Sequence, residues 1–287
     1  MTPGKDDYDD PILPEAESST DEADLWFLPG PIEEEPDYRP PGLRAGPPEK
    51  GVIDDWARAE AHQAALLARV AGRLGALDHR LARAPEGWRH RLALIEAADL
   101  SWFAGDRVGT DRLALWISMR LSGAQDDPNA LARIGWAVRR LTGGPDPIVD
   151  IAAFLDRRDP ENIDENAERF DDRASGWLDL MKQAADLHPI TRACMGFHLW
   201  SLAGLGQQGD RVEAAVTAAR IAASEGNGAI FAPLAMGGAG GLRASGPSAK
   251  RLEHWLNGMQ TASLTAMRHL DDIQFDLNNR HLFESAR

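Results

Sequence analysis

From Val52 to Ile273 the apolar side chains recur every three or four positions and almost nowhere every two. An α-helix turns once per 3.6 residues and a strand alternates with period two, so this spacing confines the chain to helices. The first run, residues 53–83, sets Trp56, Ala59, Leu66, Leu67, Val70, Leu74, Leu77 and Leu81 on one stripe until Pro85-Glu86-Gly87 breaks it. Further helices are predicted over about 88–104, 111–122, 128–142, 147–157, 170–186, 189–204, 210–225 and 247–273. Thr110-Asp111 and Asp127-Pro128 supply start signals, and Gly105 and Gly143-Gly144-Pro145 supply stops. The best strand candidate, Ala229-Ile230-Phe231, is too short to build a sheet. Helices with short connections make an all-α, multi-helix bundle the expected fold.

Charge and proline divide the chain. Of the formal net charge of −14, residues 1–50 carry −10, from fourteen Asp/Glu against four Lys/Arg. The same stretch holds ten of the eighteen prolines and both tyrosines. Such a composition does not bury enough apolar surface to offset chain entropy, which predicts a disordered acidic arm over 1–50. A helical domain follows over 51–273, with a possible sub-boundary near the polar stretch 158–168, and then a short tail, 274–287. One apolar island, Leu25, Trp26, Phe27 and Leu28, interrupts the arm. It either docks in a partner's groove or lies back on the protein's own surface.

The last helix carries Leu252, Leu256, Met259, Ser263, Ala266, Leu270 and Ile273 at alternating four- and three-residue steps, a heptad seam. It either packs on the bundle or pairs with a second copy as a homodimer.

Several chemistries are excluded. No run of about 18 apolar residues exists, so no membrane-spanning helix is expected. No secretory leader is evident, and the single cysteine, Cys194, excludes an internal disulfide or a multi-cysteine metal site. A reducing cytoplasm is the expected compartment. Past residue 50 the balance is nearly neutral, which does not indicate a domain that grips nucleic acid unaided.

The Gly-rich segment 226–246 invites a phosphate-loop reading. However, Pro247 stands where the lysine of a Walker loop belongs, and Gly226-Asn227-Gly228 lacks the third glycine of a dinucleotide fingerprint. A tightly turned or flexible loop fits better. Cys194 and His198, four apart, share a helix face as a thiolate–imidazole pair would, yet their apolar neighbours point to an inert core thiol. Asp99 and Asp106, near Trp102, are an acid/base candidate, or else face solvent or cap helices. Trp88, Trp102, Trp116, Trp136, Trp177, Trp200 and Trp255 fall at inward helical positions and are expected to pack the core. No catalytic residue, metal site or cofactor is expected.

Two stretches carry a resemblance: Arg89 to Asp106 (RHRLALIEAADLSWFAGD) and His188 to Arg211 (HPITRACMGFHLWSLAGLGQQGDR). Together they resemble a family encoded on plasmids of plant-associated bacteria, over roughly residues 50–272. Its members join a helical N-terminal domain of unassigned function to a C-terminal helix-turn-helix. The resemblance implies a helical module of a transcriptional or plasmid-maintenance regulator. Only fifteen residues follow Asp272, too few for a helix-turn-helix, so DNA binding is expected only if a reader domain is supplied elsewhere.

The stretch from His188 is also similar to the helix–loop–helix of Fic-type AMP-transferring proteins. Laid on that motif, Ala203 stands at the catalytic base, Gly204 and Leu205 at the next two positions and Gln207 at the metal-holding acid. Gly209 and Asp210 follow, and Arg211 matches the first phosphate-holding arginine. Base and metal ligand are both absent. The residues therefore point first to a non-enzymatic regulatory or interaction module. The alternative is a degenerate Fic-like nucleotide-binding or AMP-transferring protein that uses Arg211.

Overall fold

The computed structural model describes residues 48–119, 123, 126–157, 169–206 and 211–285, with side chains from 51 to 275. All of them belong to the unit Leu43–Arg287. The Leu25–Leu28 island and Gln207, Gly209 and Asp210 lie outside the described residues.

The fold is an all-α bundle: among the described residues there are ten α-helices and no strand. In chain order they are α1 (Pro48–His62), α2 (Ala64–Ala82), α3 (Glu86–Ala104), α4 (Thr110–Met119) and α5 (Pro128–Thr142). Then come α6 (Ile151–Leu155), α7 (Phe170–Gln183), α8 (Pro189–Leu199), α9 (Val212–Ala222) and α10 (Ser248–Ser285). The run predicted as one helix over 53–83 is two. The amide of Gln63 is shared between the carbonyls of Ala59 and Glu60, and α2 starts afresh beyond it.

Local chemistry accounts for the ends. Asp127 accepts from the amide of Asn129 (2.8 Å) ahead of Pro128, and Asp150 accepts from Ala153 (2.8 Å). His188 caps α8 through Nδ1, which accepts from Ile190 (3.1 Å). Gly105 closes α3 at φ 95°, a left-handed turn that only glycine enters without strain.

α10 is the spine. Over its 38 residues it packs on α1, α2, α3 and α8, and it continues to Ser285, past residue 273 where the apolar spacing ends. The residues of its seam, Leu252, Leu256, Met259, Ser263, Ala266 and Leu270, are each at most 1% exposed, buried against the same chain. The seam is thus part of the bundle's own core. α8 lies on α9, and α3 lies between α4, α5 and α9.

Most of the tryptophans are core or half-buried. Trp177 meets Trp200 edge-on at 5.5 Å, and Trp136 meets Phe154 at 6.0 Å. Trp102 departs from the predicted inward pattern. It is 56% exposed, with the guanidinium of Arg107 5.8 Å from its ring centroid. The core face of α3 is set by Leu92, Glu96 and Leu100, four apart, and Trp102 lies off that face. No described helix is long and apolar enough to cross a membrane.

Candidate functional site

The segment between α9 and α10, residues 223–247, contains no α-helix, yet much of it is buried. Its backbone amides therefore need acceptors, and two carboxylates supply them. Asp78, near the end of α2, accepts from Asn227 (3.1 Å), Gly228 (2.8 Å) and Ala229 (2.7 Å). Glu96, on α3 and fully buried, accepts from Leu234 (2.8 Å) and Ala235 (2.9 Å) on one oxygen and from Met236 (3.1 Å) on the other.

The two carboxyls respond differently to similar partners. At Asp78 partial burial pulls upward, but the amides of Ala229, Asn227 and Gly228, with Arg89 nearby, outweigh it and hold the carboxyl below its usual range. At Glu96 burial wins over the same kind of donors, and Asp99 adds to it. The carboxyl is pushed up to about 7. Asp99 is itself raised by burial, against the opposing pull of the Gly237 amide and His269.

Glycines allow this segment to lie directly on helices. A Cβ on Gly228 would stand 2.2 Å from the Asp78 carbonyl oxygen and 2.3 Å from the Ala82 nitrogen. Gly241 and Gly258 similarly let a 3-10 turn, Gly241–Arg243, rest on α10. The phosphate-loop spacing at 241–248 is thus a packing device, and the segment is a tightly turned loop.

Two surface hollows share His188, and one of them borders the clamp at Asp78. One, of about 530 Å³, lies between α1, α2 and the turn before α8. The other, of about 230 Å³, runs along α2 to the end of α9 and reaches Asp78. A third, of about 240 Å³, contains Arg89 and Arg220. Arg220 donates to the carbonyls of Arg140 and Gly143 (2.7 Å each), and Arg89 donates through one terminal nitrogen to that of Leu81 (3.3 Å), its buried Nε having no hydrogen-bond partner among the described residues.

Several residues singled out in the sequence are separated or sealed. Cys194 is fully buried, and burial pushes its thiol well above the ordinary value. His198 turns into an aromatic box. It stacks on Trp56 (6.1 Å), meets Phe197 edge-on (5.2 Å) and faces Trp255 (6.4 Å). Its buried Nε2 has no hydrogen-bond partner among the described residues. Burial, reinforced by Arg251 and Arg211, pushes the imidazole down to about 4.

Thiol and imidazole therefore both rest neutral near pH 7, and neither is activated. The native chain is expected to leave Cys194 unmodified by a thiol-specific dye and to react fully in concentrated guanidinium. Rapid native labelling would contradict the packing described. Arg211 lies over Phe197 (5.6 Å to the ring centroid) and reaches the Leu242 carbonyl (3.5 Å), so it braces the 3-10 turn. Asp106 pairs with Arg133, whereas Asp99 turns to Gly237 and His269, so the two carboxylates do not converge. No group of three or more metal-ligating side chains occurs among the described residues.

The clamp was missed at the sequence level, although α3 contained a signal. Leu92, Glu96 and Leu100 fall at i, i+4 and i+8, which sets a glutamate in a core register.

No known protein family, curated protein or solved structure matches the chain.

Proposed function

We propose that the chain is a non-enzymatic regulatory and interaction module, of the kind that the resemblance to plasmid-borne transcriptional regulators implies. The observation that carries this reading is the use made of the interior carboxylates. Buried Glu96 and half-buried Asp78 each accept from three backbone amides, so these charge-assisted contacts hold a loop in shape. In their described residues, the two stretches that carry the resemblance fall mainly on α3 and on α8. They supply Glu96, Asp99 and two members of the aromatic box, Phe197 and His198, which are scaffold parts. A rigid helical platform suits recognition of a partner, and on this reading DNA is reached only through a reader domain.

Light scattering on the purified chain, with gel retardation of DNA from upstream of its own reading frame, tests this. A homodimer, a complex with a defined partner, or a DNA band retarded only once that partner is present supports the reading. A strict monomer that retards no DNA and takes no partner overturns it. Millimolar ATP with magnesium is expected to leave the melting temperature unchanged. A rise of several degrees would replace this reading with the nucleotide-binding one.

A further inference from the structure

The two hollows that share His188 follow one another along α2, from Ala64–Ala68 to Ala71–Asp78, and are taken together as one groove. Its floor is apolar: Leu67 and Leu74, less than a tenth exposed, underlie Ala64, Ala68, Ala71 and Gly75. These four small residues follow one another every three or four positions, so they stay on one face of α2. From Ala64 to Asp78 the groove runs about 21 Å at 1.5 Å per residue, roughly four helical turns.

Charge along the groove is one-sided. Asp54, Glu60, Asp78, Asp186 and Glu225 line it, and among the described residues no Lys or Arg does. The chain as a whole has 31 basic residues against 45 acidic ones, so an all-acidic lining is a local segregation. Glu60 accepts from the His188 amide (2.9 Å) and Asp78 from its three amides. Neither bond neutralises a carboxylate, and Asp54, Asp186 and Glu225 are exposed.

We propose that this groove docks a basic amphipathic helix of a partner protein. The inference rests on the reading of the chain as an interaction module and names the surface and chemistry of its partner. Small side chains on α2 let a second helix approach closely with its apolar face down, while Lys and Arg on its flanks reach the carboxylates of the rim. The alternatives meet repulsion. A second copy seated on the same groove would set five carboxylates against the same five. Nucleic acid or an anionic membrane surface would face the same like-charge opposition.

The test uses the full chain and a fluorescein-labelled amphipathic peptide of about five helical turns, with Leu and Ala on one face and Arg on the other. A twin carries Glu in place of Arg. Ala68→Arg adds bulk and positive charge at an exposed position of the floor. Ser118→Arg, on α4 and in neither hollow, makes the same charge change elsewhere. Asp186→Lys alters the exposed rim without touching the packing.

By fluorescence anisotropy, the basic peptide is expected to bind wild type and Ser118→Arg alike, in the micromolar range. It should bind Ala68→Arg about tenfold more weakly and Asp186→Lys several-fold more weakly, and added salt should weaken it throughout. The acidic twin should not bind. Equal loss in Ala68→Arg and Ser118→Arg, binding of both peptides, or no binding of the basic one overturns the proposal. If the chain nonetheless dimerises, or retards DNA only once a partner is present, the interaction-module reading stands and only the groove's occupant falls.

Discussion

Replacing Glu96 by Ala is expected to lower folding stability by about 4 kcal/mol, a large share of the roughly 5–15 kcal/mol that holds a typical domain folded. The substitution removes the carboxylate acceptor of three buried amides, those of Leu234, Ala235 and Met236. An orphaned buried donor costs roughly 1–3 kcal/mol, and the vacated space adds a cavity term. Relief of the desolvated charge returns part of this, which is why the three penalties do not simply add.

Glu96→Gln makes the argument specific. One oxygen already serves both Leu234 and Ala235, so the amide oxygen of glutamine keeps that pair. Its nitrogen then faces the Met236 amide, donor against donor, at about 2 kcal/mol. Urea denaturation gives both values. Hydrogen exchange locates the effect, because protection at residues 234–236 should fall in Glu96→Ala ahead of the rest of the bundle. A loss below about 1 kcal/mol in Glu96→Ala would mean that the segment holds its shape without the clamp.

The second large effect is a pH dependence hidden in the wild type. Glu96 titrates at about 7 in the folded chain against an ordinary 4.5, so the native state binds its proton more tightly. Its contribution is complete below pH 4.5 and is lost as pH rises through 7, about 3 kcal/mol in all at 1.36 kcal/mol per pKa unit. His198 behaves oppositely. Its folded value of about 4 lies below the ordinary 6.5, so the unfolded state binds its proton more tightly. Stability therefore falls by a comparable amount as pH drops from 6.5 to 4.

Between about pH 4.5 and 6.5 the two slopes cancel. Below that window Asp78 joins His198, since a lowered carboxyl stabilises the fold above its unfolded value of 3.8 and less so under it. His198→Phe, which keeps a ring among Trp56, Phe197 and Trp255, should expose the Glu96 slope. That variant loses stability steadily from pH 5 to 8. Glu96→Gln should expose the His198 slope and gain stability from pH 4 to 6.5. Melting temperatures across this range measure both, and variant curves parallel to the wild type would refute the assignment.

How far the molecule could be read in advance differs from element to element. The helices of the bundle were legible because burial of an apolar stripe imposes a 3.6-residue period on the text. The stop at Gly105 and the start at Asp127 were legible because glycine and capping side chains act over a few bonds. The split at Gln63 was not, since no proline or glycine marks it and it rests on a shared hydrogen bond. The position of Trp102 was misjudged because a ring at helical spacing looks inward even when it sits just off the apolar face. The seam of α10 was visible as a heptad, but a heptad does not say whether the surface that covers it comes from the same chain. Here α1, α2 and α8 cover it.

The groove was hidden more deeply. Asp54, Asp78, Asp186 and Glu225 are up to 171 positions apart, and only the fold that brings the turns after α7 and α9 beside α1 and α2 gathers their charges along one surface. The clamp was hidden for a similar reason. The glycines of 226–246 announce a tight path for the backbone but not which wall it follows.

By itself, then, the sequence determined the helical class, most helix ends and the buried face of each helix, because these follow from periodicity and from interactions within a few residues. The tertiary structure alone decided that two distant carboxylates hold the glycine-rich loop, that His198 is locked uncharged among rings, and that acidic residues line one apolar groove. Each of those depends on burial and on groups brought together across more than a hundred positions, and desolvation and hydrogen bonding between such groups exist only once the helices have packed.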